Sequence, residues 1–175
     1  MSRRIILVAF DQLSLDHGAV AQAKPDDVVL LIESAQMMRS QEWHPERTYL
    51  VISAARHFAN EVRERGMECI YLQADTIAAG LKDVRSQTGI EQVITTHPSS
   101  FAMARLLGDL GVEFLTNELF LTSRADFDAW ARTQKSFVME NFYRLQRKRL
   151  NILMDGDQPM GGLWNFDFYN VLATT

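Results

Sequence analysis

Residues Arg3 to Ser14 read Arg-Arg-Ile-Ile-Leu-Val-Ala-Phe-Asp-Gln-Leu-Ser, and the reading of the fold starts from them. Ile5, Ile6, Leu7, Val8 and Ala9 form an unbroken apolar run, too short for a helix and β-branched at three positions. Such a run reads as a strand covered on both faces, which belongs at the centre of a parallel sheet. Asp11, Gln12 and Ser14 follow directly, so polar groups stand at the strand's carboxyl end. In open α/β sheets that is the edge where ligands bind. Taken alone, these residues are equally a polar turn that leads the chain out.

Outward from this run, helical patterns alternate with further apolar stretches. Leu13 to Lys24 hold a short helix ending at Pro25-Asp26, and Asp27 to Glu33 is a second buried strand closing on an acidic residue. Ser34 to Pro45 fit no clear period and read as a loop with short helical turns. Glu46 to Arg65 is a long helix whose apolar face is Leu50, Ile52, Ala55, Phe58, Ala59 and Val62, with Gly66 as its left-handed cap. Strands over Glu68–Leu72, Glu91–Thr96 and Val112–Leu115 enclose helices over Thr76–Gln87 and from His97-Pro98-Ser99 to about Leu110. Ser123 reads as the N-cap of a helix through Trp130 and Ala131, with Asp126 and Asp128 near its positive end. The alternation predicts an α/β fold: a doubly wound, Rossmann-like, five-stranded parallel sheet of order 3-2-1-4-5, followed by C-terminal helices.

That order places the topological switch between the first and fourth strands. Asp11, Gln12 and Leu13 should face Thr95, Thr96 and His97 across a crevice, with Glu33 flanking it and Trp43 and His44 as further walls. No G-x-G-x-x-G follows the first strand and no Walker glycine–lysine loop occurs, so dinucleotide and P-loop sites are not expected. Carboxylates and amides beside aromatic and Met side chains suit a neutral heteroaromatic molecule better than a triphosphate. Asp11, His97 and Ser99 lack a G-x-S-x-G elbow, and the four histidines lack metal-ligand spacing, so neither a hydrolase nor a metal site is expected. His57, beside Phe58 on the long helix, reads as a partly buried histidine rather than a ligand.

A length of 175 residues and a hydrophobic fraction of 47% fit a globular chain that folds without staples. No stretch approaches the roughly 20 apolar residues that span a bilayer, and Asp11 interrupts any signal-peptide pattern, which makes the cytoplasm the expected compartment. Cys69, the lone cysteine, sits in an apparent strand and reads as a buried, inert thiol. A formal charge of −4 argues against a uniformly nucleic-acid-binding surface. Locally the balance reverses: Ser136 to Arg149 is a helix on which Arg144, Arg147 and Lys148 share a face. These cations either complement the helix dipole or meet phosphates. Leu153 to Asp167 is rich in turn residues and aromatics without periodicity, as expected of a segment packed against something specific.

Several stretches stand in a recognisable order: Phe10-Asp11-Gln12-Leu13-Ser14, Ser53-Ala54-Ala55-Arg56-His57-Phe58-Ala59, Met139-Glu140-Asn141-Phe142-Tyr143-Arg144, Leu153-Met154-Asp155-Gly156 and Pro159-Met160-Gly161-Gly162-Leu163-Trp164-Asn165-Phe166-Asp167. Together they resemble the N-terminal part of the deoxyribodipyrimidine photolyase-related proteins, the iron–sulfur bacterial cryptochromes and (6-4) photolyases. The resemblance implies an α/β photolyase-type antenna domain over residues 1–135. Residues 136–175 would then lead, as a helical and irregular interdomain segment, to a flavin domain that is absent here. It implies a 6,7-dimethyl-8-ribityllumazine antenna at the sheet's carboxyl edge, held by Asp11, Gln12, Leu13 and Glu33, with Trp43, His44 and His97 as walls. FAD, a 4Fe-4S cluster and the DNA-lesion pocket belong to the absent domain, so this chain alone is expected to repair no DNA. DNA contact is expected through that domain, with a weak contribution from Arg144, Arg147 and Lys148. The tail from Trp164 onward is expected to dock or to form a homodimer. The sequence departs from the family at Phe10, where glycine is usual, in Trp43-His44-Pro45-Glu46-Arg47, and at Thr96-His97-Pro98. A stand-alone small-ligand-binding or interaction protein that keeps the fold without photochemistry is the alternative.

Overall fold

The computed structural model describes residues 3–165. Strand β1 (Ile5–Leu7) pairs in parallel with β2 (Val28–Ser34) on one side and β4 (Val93–Thr96) on the other. Strand β3 (Glu68–Ala74) lies outside β2, and β5 (Glu113–Leu115) lies outside β4, both parallel. The order is β3-β2-β1-β4-β5, as the apolar runs predicted. Alternate side chains leave the sheet on opposite faces and build two cores. Ile5, Leu7, Val28, Leu30, Ile32 and Val93 meet Leu81 and Val84 of α4 (Ile77–Thr88) and Leu107 of α5 (Phe101–Asp109). Ile6, Val8, Val29, Leu31 and Ile94 meet Ala19 and Val20 of α1 (Gly18–Ala21) and Ala55, Phe58, Ala59 and Val62 of α3 (Pro45–Glu64). Each fully buried Ile or Leu contributes roughly 1.5–3 kcal/mol, so the burial of β1 and β2 on both faces dominates the sheet's stability.

The amino edge of the sheet is closed by a buried ion pair. Asp27 accepts from Arg4 Nη2 at 2.6 Å, from the Arg4 amide at 3.1 Å and from the Lys24 amide at 2.8 Å. Burial alone would push the Asp27 carboxyl up, but these donors outweigh it and hold it below its usual range. The carboxyl edge carries the loops described below.

Several elements differ from the sequence reading. β1 has three residues rather than five. The helix expected over Leu13–Lys24 shrinks to Gly18–Ala21, because Gly18 is buried at φ +67 and the Ala19 amide is fixed at 2.8 Å on Thr96 Oγ1. A short helix, α2 (Ala35–Arg39), follows β2 directly, its Ser34 hydroxyl accepting from the Met37 amide. On α3, Leu50 is 67% exposed rather than core-facing. At about 100° per residue it points some 140° away from Ala55. His57 is likewise exposed, not partly buried, because it stands nearly opposite the stripe of Ala55, Phe58, Ala59 and Val62. The helix expected from His97 begins only at Phe101, capped by the Ser100 hydroxyl, since His97 precedes a proline and such residues disfavour helical angles.

The chain forms two compact units, Met1–Ser123 and Arg124–Thr175. The sequence boundary at 135/136 therefore falls inside the second unit. This unit holds α6 (Arg124–Ala131), α7 (Met139–Leu150) and a small antiparallel hairpin, β6 (Met154–Asp155) with β7 (Gln158–Pro159). Its packing is aromatic: the Trp130 ring lies 4.8 Å from Phe142 and 5.6 Å from Phe127, and Phe127 meets Phe142 edge-on at 5.3 Å. Among the described residues no helix is long and apolar enough to cross a membrane.

Candidate functional site at the carboxyl edge of the sheet

Beyond β1 the chain splits its side chains between the two halves of the sheet. Phe10 is half-buried and stacks on Tyr71 of β3, with centroids 6.3 Å apart and planes 19° apart. Asp11 is exposed and makes no hydrogen bond or ion pair with another described residue. Gln12 is buried, and its Nε2 donates at 3.2 Å to the His97 carbonyl beyond β4. The same carbonyl accepts from Asn117 Nδ2 at 3.0 Å. Leu13 packs, partly buried, on the core beneath α1 and α3. Consecutive residues diverging in this way are what a topological switch point produces. The expected approach of Asp11 to Leu13 towards His97 is thus made by Gln12, which is spent on an internal bond.

Glu33, at the end of β2, gathers three donors. Tyr71 Oη donates to Glu33 Oε2 at 2.6 Å, Arg56 Nη2 to the same oxygen at 2.9 Å, and Gln73 Nε2 to Oε1 at 2.9 Å. The register explains the grouping: Leu31 pairs with Tyr71 and Glu33 with Gln73, so alternate residues of both strands rise on the α3 face. Burial pushes the Glu33 carboxyl up, but the Tyr71 and Arg56 hydrogen bonds prevail and it stays below its usual value. The Tyr71 phenol is pushed up to about 12, first by burial and then by the carboxylate it donates to. The result is an ionised carboxylate with both oxygens engaged, next to an aromatic stack.

The other expected walls serve local structure. Trp43 is half-buried, its indole N–H 3.4 Å from the Met37 carbonyl and its ring covered by the Arg47 guanidinium at 3.7 Å. His44 is exposed and caps α3, Nδ1 accepting from the Glu46 amide at 3.3 Å. His97 is half-buried against Phe114, its Nδ1 2.9 Å from the Pro98 carbonyl, which selects the Nδ1-protonated tautomer. The structure thus joins Gln12 to His97, and joins Phe10 to Glu33 through Tyr71, with Asp11 between the two groups in sequence. Among the described residues, no hydrogen bond or ring contact ties Trp43 or His44 to either group. Tyr71, Arg56 and Gln73 escaped the sequence reading. The signal available was the alternation Cys69, Tyr71, Gln73, which matches Val29, Leu31, Glu33 once the strands are paired. Cys69 is half-buried, and burial pushes its thiol up, away from the reactive thiolate. Among the described residues no group of three His, Cys, Asp or Glu side chains is placed to hold a metal.

The cationic face of α7 divides by role. Arg147 is buried and donates to the carbonyls of Ile152 at 3.2 Å and Trp164 at 3.3 Å, to that of Leu153, and to Tyr143 Oη at 3.3 Å. Arg144 and Lys148 remain exposed. The tail expected to dock or dimerise falls, beyond Asn165, outside the described residues.

A family model described as deoxyribodipyrimidine photo-lyase-related protein matches residues 6–172. A (6-4) photolyase of Agrobacterium fabrum (strain C58 / ATCC 33970) is 31% identical over 180 residues, covering 95% of this chain and 36% of the relative. An uncharacterized protein, R852, of Acanthamoeba polyphaga mimivirus is 47% identical over 36 residues, 21% of this chain and 18% of its own length. The chain therefore spans about a third of the photolyase it resembles.

Proposed function

Because the chain belongs to the deoxyribodipyrimidine photo-lyase-related protein family, we propose that its α/β unit is a chromophore-binding antenna module, taking a heteroaromatic molecule such as 6,7-dimethyl-8-ribityllumazine at the carboxyl edge of the sheet. The observation that carries this reading is the exposed Asp11 carboxylate, without a hydrogen bond or ion pair among the described residues, next in sequence to Phe10 of the half-buried Phe10–Tyr71 stack. A flat ring gains contact area on aromatic faces, and a polyhydroxyl chain supplies the donors that an exposed carboxylate lacks. As an acceptor, the Asp11 carboxylate suits the hydroxyls of such a ligand. Glu33 contributes by fixing Tyr71, since its own oxygens are already engaged. An iron–sulfur cluster does not fit this chain, whose one cysteine falls short of the usual four thiolates. Light-driven DNA repair, flavin and the cluster are proposed for the whole protein of which such a module is part.

An absorption spectrum of the purified protein is the first test, with a band beyond the tryptophan envelope as the expected result. Titration with the lumazine should then change its fluorescence, and Asp11→Asn should weaken binding by about 1–3 kcal/mol. A titration without heat or fluorescence change would remove the antenna reading. Equal binding by the variant would remove Asp11 from the site. The second reading is a stand-alone small-ligand-binding or interaction protein. It is favoured by Phe10 and Glu33, which are occupied by contacts within the protein itself.

A further inference from the structure

The first unit carries a second hollow, of about 550 Å³, along the flank of α4. Ala78, Ala79, Lys82, Arg85 and Ser86 line it from one side of that helix. It reaches the amino edge of the sheet at Leu110 and Glu91, which precede β5 and β4. None of the residues placed at the carboxyl edge lines it.

The donors on this flank are only partly used. Arg85 Nη1 donates at 3.1 Å to the Leu110 carbonyl and so closes the last turn of α5. Arg85 Nε is buried without a hydrogen-bond partner, alone in this among the side-chain nitrogens and oxygens of the described residues. Glu91 Oε2 stands 3.9 Å from it, beyond hydrogen-bond reach, on a side chain that is 83% exposed. A buried charged donor left unbonded is costly, so the position calls for an acceptor. Lys82 is exposed and, like Ser86, makes no hydrogen bond or ion pair with another described residue. The dipole of α4 accounts for Arg85 in its last turn but not for Lys82, which lies further from that end. The remaining walls, Ala78, Ala79, Leu81 and Leu110, are aliphatic.

We propose that this hollow binds a small monocarboxylate with an aliphatic tail. Its carboxylate meets Arg85 Nε, Lys82 and the Ser86 hydroxyl, supplying the hydrogen bond that Glu91 does not reach. Its tail lies along Ala78, Ala79 and Leu110, where the two alanines leave room. A single negative charge suits the site. Residues 1–123 hold 11 Lys and Arg against 16 Asp and Glu, so a polyanion is repelled, and Glu91 penalises a second charge at close range. The carbonyl end of α5 also disfavours an anion, and Arg85 offsets it by engaging Leu110. The volume is that of a small-molecule site. This site is independent of the chromophore reading, since it shares no residue with the carboxyl edge.

The test is a titration of the isotope-labelled full chain with hexanoate, followed through its amide resonances. Saturable shifts should gather at residues 78–86 and at Leu110, and leave Asp11, Gln12 and Leu13 in place. Octanoate should bind roughly tenfold more tightly than hexanoate, through its two further methylenes. Hexanol, with the tail but no charge, should bind roughly tenfold more weakly. Lys82→Gln should weaken hexanoate binding roughly fivefold, and Arg85→Gln at least as much. Glu91→Gln, which removes the competing carboxylate, should strengthen it about twofold. Lys148→Gln, on α7 of the second unit, should bind as the wild type does. Lys82 is exposed, so its variant keeps the fold and decides the outcome should Arg85→Gln fail to fold. No saturable shift, hexanol binding as tightly as hexanoate, wild-type binding by Lys82→Gln, weaker binding by Glu91→Gln, or an equal loss with Lys148→Gln would each overturn the proposal. A tetraglutamate peptide that shifts the same amides at lower concentration than octanoate would overturn the small molecule as occupant.

Discussion

Tyr71 shows how much a single hydroxyl organises at the sheet's edge. Its ring carries Phe10, and its Oη holds Glu33 at 2.6 Å. Tyr71→Phe keeps the stack and removes the donor, so it should cost about 1 kcal/mol at neutral pH, since Arg56 and Gln73 still engage the carboxylate. The pH dependence has a definite sign. A phenol pushed up to about 12 in the folded state, against about 10 unfolded, favours folding fully below pH 10. That contribution is lost as the pH rises from about 10 to about 12. Denaturant midpoints across this window should fall more for the wild type than for Tyr71→Phe, and parallel curves would refute the assignment.

At the level of elements, the central strands β1, β2 and β4 were legible because each is a short, β-branched, largely apolar run, and the edge strands β3 and β5 followed from their place in the β–α alternation. The long face of α3 was legible from its apolar spacing, and Leu50 was misread because apolarity was counted without its angle around the axis. The short elements were legible only in outline: the helical turns expected within Leu13–Lys24 and Ser34–Pro45 are there as α1 and α2, but not with bounds the sequence could set. α1 exists through a contact with Thr96, far away in sequence, and the two-residue strands β6 and β7 are too short to show a period. The candidate site was legible by half: the position of Asp11 follows from topology, whereas the donors of Glu33 come from residues 23, 38 and 40 positions away. For Arg147 the sequence offered a complement to the helix dipole or a phosphate contact, and neither reading named the carbonyls it meets. Its guanidinium instead closes the turn after α7 on three carbonyls. Arg147→Met should therefore loosen the second unit by about 3 kcal/mol, seen as loss of near-ultraviolet dichroism from Trp130 and Trp164 with the sheet's far-ultraviolet signal retained. An unchanged aromatic spectrum and melting curve would count against this role.

For the whole molecule, both apolar cores draw every buried residue from the first unit. Residues 1–123 alone should therefore fold cooperatively, as reported by a sigmoidal urea transition, whereas a non-cooperative transition would show that the division is not energetic. The 175-residue chain, supplied with flavin and light, should repair neither a (6-4) nor a cyclobutane lesion, because redox cofactors carry that chemistry and this chain offers no four-thiolate cluster site. Repair above a flavin-only control would overturn the antenna assignment. The loop after β1 has a different kind of consequence. Asp11 has no partner among the described residues, while its neighbour Gln12 bridges the two halves of the sheet. On the proposed reading, replacement at Asp11 would alter ligand binding at little cost to folding, whereas replacement at Gln12 is filtered by folding first. Two adjacent codons would then be exposed to different selection, and a ligand preference set at the one would drift without disturbing the other.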